Sequence, residues 1–133
     1  MKKGYKGNIE KLTEENNDFR HVLYTGENSQ LVLMSLKPKE DIGVEIHEEN
    51  DQFFRFEEGH GEVIINETKY EVEDGDAIVV PAGAKHNIIN ISEDEDLKLY
   101  TIYSPAHHQD GTIRATKSEA LSDEPEFDGT TTE

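Results

Sequence analysis

Four side chains in the middle of the sequence, Glu45, His47, Gln52 and His86, carry the donor atoms that a metal ion or a proton transfer needs. Glu45 and His47 are two residues apart, so in an extended strand they share one face and leave Val44 and Ile46 on the other. By the same rule Gln52, Phe54 and Phe56 share one face of the next run. If both faces point inward, Glu45, His47 and Gln52 converge, and His86 reaches the same point from a later hairpin. Two imidazoles and one carboxylate leave open coordination positions on a non-haem Fe(II) centre, and such mixed donors also suit Mn, Ni, Co or Zn. Gln52 would add a weak carbonyl ligand or a hydrogen bond to a bound water. Taken singly, His86 reads as a buried core histidine, Glu45 as a rim carboxylate and Gln52 as a polar plug. Taken together they favour a site, because inward-facing charge is costly without a partner. Glu45 and Gln52 are then also the groups placed to act on a substrate.

Neighbouring polar residues fit the site less well. Asp51 has the wrong parity and is expected in solvent, and His60 lies in a glycine turn. Arg55 faces away from the cavity, Phe53, Phe54 and Phe56 read as core or interface, and parity leaves Tyr100 and Tyr103 open. His107 and His108 follow the last strand. They could cap the cavity mouth or supply an acid or base, but adjacent residues on an extended chain point opposite ways, and a surface loop is the favoured reading.

The elements that must hold these residues are short strands. Runs at Arg20–Thr25, Gln30–Leu36, Val44–His47, Gln52–Glu57, Glu62–Ile65, Lys69–Val72, Ala77–Val80, His86–Ile91 and Leu97–Tyr103 alternate with Gly-, Pro-, Asn- and Asp-rich turns. That pattern predicts an all-β antiparallel sandwich or barrel. Between Gly75 and Asn90 the sequence reads G-D-A-I-V-V-P-A-G-A-K-H-N-I-I-N. There Pro81 presets φ at a corner, Gly83 is free to take a positive φ, and His86 opens the next strand. The spans expected are a polar N-terminal arm over 1–18 (an arm or short edge strand), a barrel over 19–104, and an extension over 105–122. A helical turn begins after Thr116, capped by that residue with Glu119 three positions on. The acidic tail over 123–133 is expected to be disordered.

The spacing glycine-x5-proline-x-glycine-x2-histidine-x3-asparagine, met here by Gly75, Pro81, Gly83, His86 and Asn90, resembles the second conserved motif of the cupins at every position. The first cupin motif pairs two histidines separated by one residue with a glutamate and, seven positions on, a glycine. With Gly59 as that glycine, Gln52 stands at the glutamate position, His47 at the second histidine and Glu45 at the first. One imidazole has become a carboxylate and the carboxylate an amide, so the ligand set keeps its charge. The resemblance runs from about Gln30 to Ser104. It implies a small jelly-roll (double-stranded β-helix) barrel, usually a homodimer, binding a divalent metal and a small molecule. Three functions follow: a metal-dependent, dioxygenase-like enzyme on a small oxygenated molecule; a mannose-6-phosphate-isomerase-like sugar isomerase or epimerase; or a non-catalytic metal- or ligand-binding cupin. The isomerase needs basic residues for a phosphate, and Arg55, Lys85 and Lys98 do not clearly point inward.

Composition narrows the partners. The 133 residues suit one domain, and 30 acidic against 13 basic residues give a net charge of −17. So negative a chain repels phosphate backbones and anionic lipid, arguing against nucleic-acid and membrane roles. With no cysteine, disulfides, thiolate nucleophiles and cysteine-held metals are excluded. Met1-Lys2-Lys3 is not followed by an apolar core, and a cytoplasmic location is expected.

Overall fold

In the computed structural model, which describes residues 1–133, ten strands form two antiparallel sheets that face each other. The strands are β1 (Arg20–Thr25), β2 (Gln30–Leu36), β3 (Glu45–Ile46), β4 (Asp51–Glu58), β5 (His60–Ile65), β6 (Thr68–Glu73), β7 (Ala77–Val80), β8 (Lys85–Asn90), β9 (Leu97–Ser104) and β10 (Ile113–Arg114). One sheet has the order β10-β1-β2-β9-β4-β7 and the other β3-β8-β5-β6. The expected all-β jelly-roll architecture is present.

The two sheets close on one apolar core. Val32, Met34, Leu36, Phe54, Phe56, Val80, Leu97 and Leu99 come from the larger sheet, and Val63, Val72 and Ile88 from the smaller. Gln52, Phe54 and Phe56 are all buried along β4, while Phe53 and Arg55 between them are only half-buried. Tyr103 lies inside and Tyr100 sits against Phe53 on the outer face, their rings 6.3 Å apart. Asp51 is exposed and accepts a hydrogen bond from the Ala82 backbone, and His60 is exposed too.

Of the segments outside the barrel, the N-terminal arm departs from expectation and the extension after β9 carries its expected helical turn. The arm contains a helix, α1 (Ile9–Glu15), rather than an edge strand. Its overlooked signal is Asn8, whose side chain accepts from the Lys11 backbone N–H as an N-cap. Buried Lys98 ties the end of that helix down by donating to the Asn16 carbonyl and to Asn17 Oδ1. Downstream, β10 pairs with β1, and α2 (Lys117–Ser122) begins after Thr116, whose hydroxyl accepts from the Glu119 N–H as expected.

The 123–133 segment, expected to be disordered, lies instead along the barrel. The Pro125 carbonyl accepts from Gln109 N, Phe127 N donates to the His107 carbonyl, and Thr132 N donates to the Thr25 carbonyl. No helix is long and apolar enough to cross a membrane.

Candidate metal centre

Register brings the ligand-type residues together from both sheets. Glu45 on β3 lies directly across from His86 on β8, so their side chains rise from the same face of the smaller sheet. On the larger sheet, Gln30, Tyr103 and Gln52 stand side by side across β2, β9 and β4, all buried. His47 leaves the end of β3 and turns between the two rows. The turn after β7 fixes it there: Gly83, at φ +87°, donates its backbone N–H to the His47 carbonyl at 2.9 Å. The glycine turn of the second motif thus holds the histidine of the first.

Glu45, His47 and His86 each present one donor atom, and all three atoms lie within 4.8 Å of one another. His47 Nε2 is 2.6 Å from Glu45 Oε2, yet the two atoms are not aligned as donor and acceptor, and Nε2 has no hydrogen-bond partner. His86 Nδ1 is 3.0 Å from the Ala84 carbonyl. A carbonyl only accepts, so the proton sits on Nδ1 and the Nε2 lone pair is free, the arrangement metal-binding imidazoles use.

Gln52, 2% exposed, donates from Nε2 to Thr101 Oγ1 at 3.1 Å, while its Oε1 is buried without a partner. An orphaned buried carbonyl oxygen is expensive, and a cation, a water or the neighbouring Tyr103 hydroxyl would satisfy it. The donor set therefore fits a divalent ion. Burial works to raise the Glu45 carboxyl, but neighbouring His47, Arg20 and His86 outweigh it and hold the group below its usual range. Burial lowers the His86 imidazole, keeping it neutral.

Two parts of the site depart from the favoured sequence reading, and the first is its lesser alternative, His107 and His108 at the cavity mouth. His107 and His108 are not on a surface loop. The His107 ring lies 4.3 Å from the His47 ring and stacks on Tyr103 at 5.3 Å, and His108 is buried with Nε2 3.2 Å from the Tyr103 hydroxyl. Polar side chains clamp this stretch. Gln30 Oε1 accepts from His107 N and His108 N, Gln30 Nε2 donates to the His108 carbonyl, and Asn50 Nδ2 donates to Pro105 O. A buried glutamine opposite the end of β9 was the available signal.

The residue the sequence reading does not single out is Arg20 on β1. It is 2% exposed and lines a cleft of about 390 Å³ with Glu45, His47, His107, His108 and Glu124. An inward cation therefore exists, although Arg55, Lys85 and Lys98 do not provide it. A second cleft, of about 400 Å³, meets the first at Ile46, His47 and His107 and is closed on one side by Glu126 and Phe127.

Comparison with known proteins bears on the family and the fold. The chain is 47% identical over 88% of its length to the uncharacterized protein YrkC of Bacillus subtilis, of which it spans 66%. It is 49% identical over 82% of its length to the uncharacterized protein L612 of Acanthamoeba polyphaga mimivirus, spanning 70% of that protein. The crystal structure of BH2720 from Bacillus halodurans superposes with a TM-score of 0.88 at 42% identity, covering 91% of this chain and 96% of that one. The family sequence model described as "Cupin domain" matches residues 32–103, more than half of the chain. The chain belongs to the cupin family.

Proposed function

We propose that this protein holds a divalent metal ion through Glu45, His47 and His86, with Gln52 Oε1 as a further oxygen donor, and acts there as a dioxygenase-like enzyme on a small oxygenated molecule. The observation that carries this reading is the convergence of three donor atoms within 4.8 Å beside an orphaned buried amide oxygen. Bound there, such an ion polarises substrate oxygens and lowers their pKa.

The surrounding residues have separable roles. Ala84 O sets the tautomer of His86, and Gly83 fixes the path of His47. Glu45 supplies the one ligand charge. Burial raises the Tyr103 phenol and so keeps it protonated, a hydrogen-bond donor for a bound oxygen. Burial lowers His107, leaving an imidazole able to take a proton at the mouth of both clefts. A sugar isomerase or epimerase is the second reading: Arg20 is an inward cation, although Glu45, Glu124 and Glu126 around the clefts disfavour a phosphate dianion there.

Elemental analysis of protein purified from metal-replete, reducing medium tests the site. One equivalent of a divalent transition metal is expected in the parent protein and its loss in His47→Ala and His86→Ala. Gln52→Ala should weaken binding by about 10-fold or more, the scale of an outer contact to a metal site. A metal-free parent protein would sink the reading.

A further inference from the structure

Arg20 is the strongest feature of the cleft that the metal reading leaves unused. Its side chain is 3% exposed, and its sole ion pair is Nη1 to Glu124 Oε1 at 3.0 Å. Nε is buried with no partner, and no ion pair joins the guanidinium to Glu45. A glutamate that is itself 46% exposed compensates poorly for a buried guanidinium, since buried charges need close, complete partners. The ion pair is not needed to hold the C-terminal segment either. Arg114 donates from Nη2 to Asp123 Oδ2 at 3.0 Å and from Nε to the Asp123 carbonyl, and Pro125 O accepts from Gln109 N. Glu124 is thus fastened on both sides by other contacts, and its side chain can leave Arg20 without the backbone moving.

We propose that Arg20 is the anchor for the carboxylate of a small hydroxy- or oxo-carboxylate, and that Glu124 occupies this position as an exchangeable internal carboxylate until the ligand arrives. The planar guanidinium fork matches a carboxylate in two-point geometry, and Glu124 already shows one such group in place. A phosphate dianion fits less well, because Glu45, Glu124 and Glu126 surround the clefts in a chain of net charge −17. The cleft volume of about 390 Å³ suits a ligand of this size. Placing the hydroxy or oxo oxygen towards Glu45, His47 and His86 rests on the metal reading; the Arg20 contact does not.

Calorimetric titration of the full chain, as purified and after treatment with a chelator, tests both parts. The probes are L-lactate, pyruvate and acetate, the neutral lactamide, and inorganic phosphate. Lactate should bind at least about 10-fold more tightly than lactamide, and Arg20→Gln should remove that preference, as loss of a charge-assisted pair implies. Glu124→Gln should raise carboxylate affinity about 2- to 5-fold, the range of a partly exposed ion pair released from competition. It alters an exposed side chain, so it reports even if Arg20→Gln fails to fold.

Equal binding of lactate and lactamide, an Arg20→Gln variant unchanged, tighter binding of phosphate, or no millimolar binding by either parent or Glu124→Gln overturns the proposal. An advantage of lactate over acetate that chelation abolishes supports the metal-side placement. A carboxylate preference with no such advantage leaves Arg20 as the anchor and counts against the metal reading alone.

Discussion

His108 shows how tightly the polar interior is set. Burial drives its imidazole down to about 2, with Arg20, His107 and His47 pushing the same way. The groups facing it are the Tyr103 hydroxyl, the His107 ring and the Arg20 charge. In the unfolded chain it titrates near 6.5, so between those values the unfolded state holds one more proton. Stability is therefore full above about pH 6.5 and falls as the pH drops, by about 1.4 kcal/mol per pH unit. His86 and His107 are lowered by burial too, and each adds a loss of the same sign. Urea denaturation at about pH 7.5 and about pH 5.5 should show the parent protein losing roughly 1–2 kcal/mol or more across that interval. His108→Gln, which keeps a donor near Tyr103, should reduce the loss; an identical pH dependence in the variant would remove His108 from this account.

At the scale of elements, a few backbone positions decide whether the strands can bring the ligands together. Gly59 joins β4 to β5 at φ +95°, and a Cβ there would stand 2.4 Å from the Asp96 carbonyl. Gly59→Ala should cost about 3 kcal/mol, from the left-handed conformation and the forced separation from the loop before β9. Chemical denaturation should record it as a lower midpoint at unchanged slope; a cost under about 1 kcal/mol would mean the turn rearranges freely. Asn90 is the other joint, donating to the Leu36, Lys37 and Glu95 carbonyls and accepting from Ser92 N. Both residues belong to the spacings legible in the sequence. Period-two alternation and turn residues were enough to place all nine expected runs within a residue or two of β1–β9 and to turn Gln52 inward. The inward placement of His107 and His108, raised only as the lesser alternative, and that of Arg20 were not legible for a different reason. Their inward placement depends on clamps from Gln30 and Asn50 and on the closeness of β1 to the C-terminal segment, long-range facts that no local pattern encodes.

Over the whole molecule, the excess of negative charge has no internal counterweight. The ion pairs are mostly exposed, as with Lys2–Glu27 and Lys69–Glu62, and such pairs are worth little each. Thirty acidic residues against thirteen basic ones leave a self-repulsion that the compact state feels more than the expanded chain. Several acidic side chains are crowded at one end of the barrel, where Glu14, Glu57, Glu58, Glu73 and Asp74 line a single depression. The Glu14 carboxyl is raised, through desolvation and then the neighbouring Glu10, Glu58, Glu57 and Asp74 charges. Screening acts on repulsions at separations near or beyond a Debye length, about 10 Å at 0.1 M, and little on buried pairs. Salt should therefore weaken the repulsion more than it weakens the few useful ion pairs. Raising NaCl from about 0.01 M to about 0.5 M should raise Tm by several degrees, with choline chloride giving the same shift because the effect is ionic strength rather than sodium binding. A Tm that falls with salt would mean that the surface ion pairs, and not the excess of carboxylates, govern the stability of this barrel.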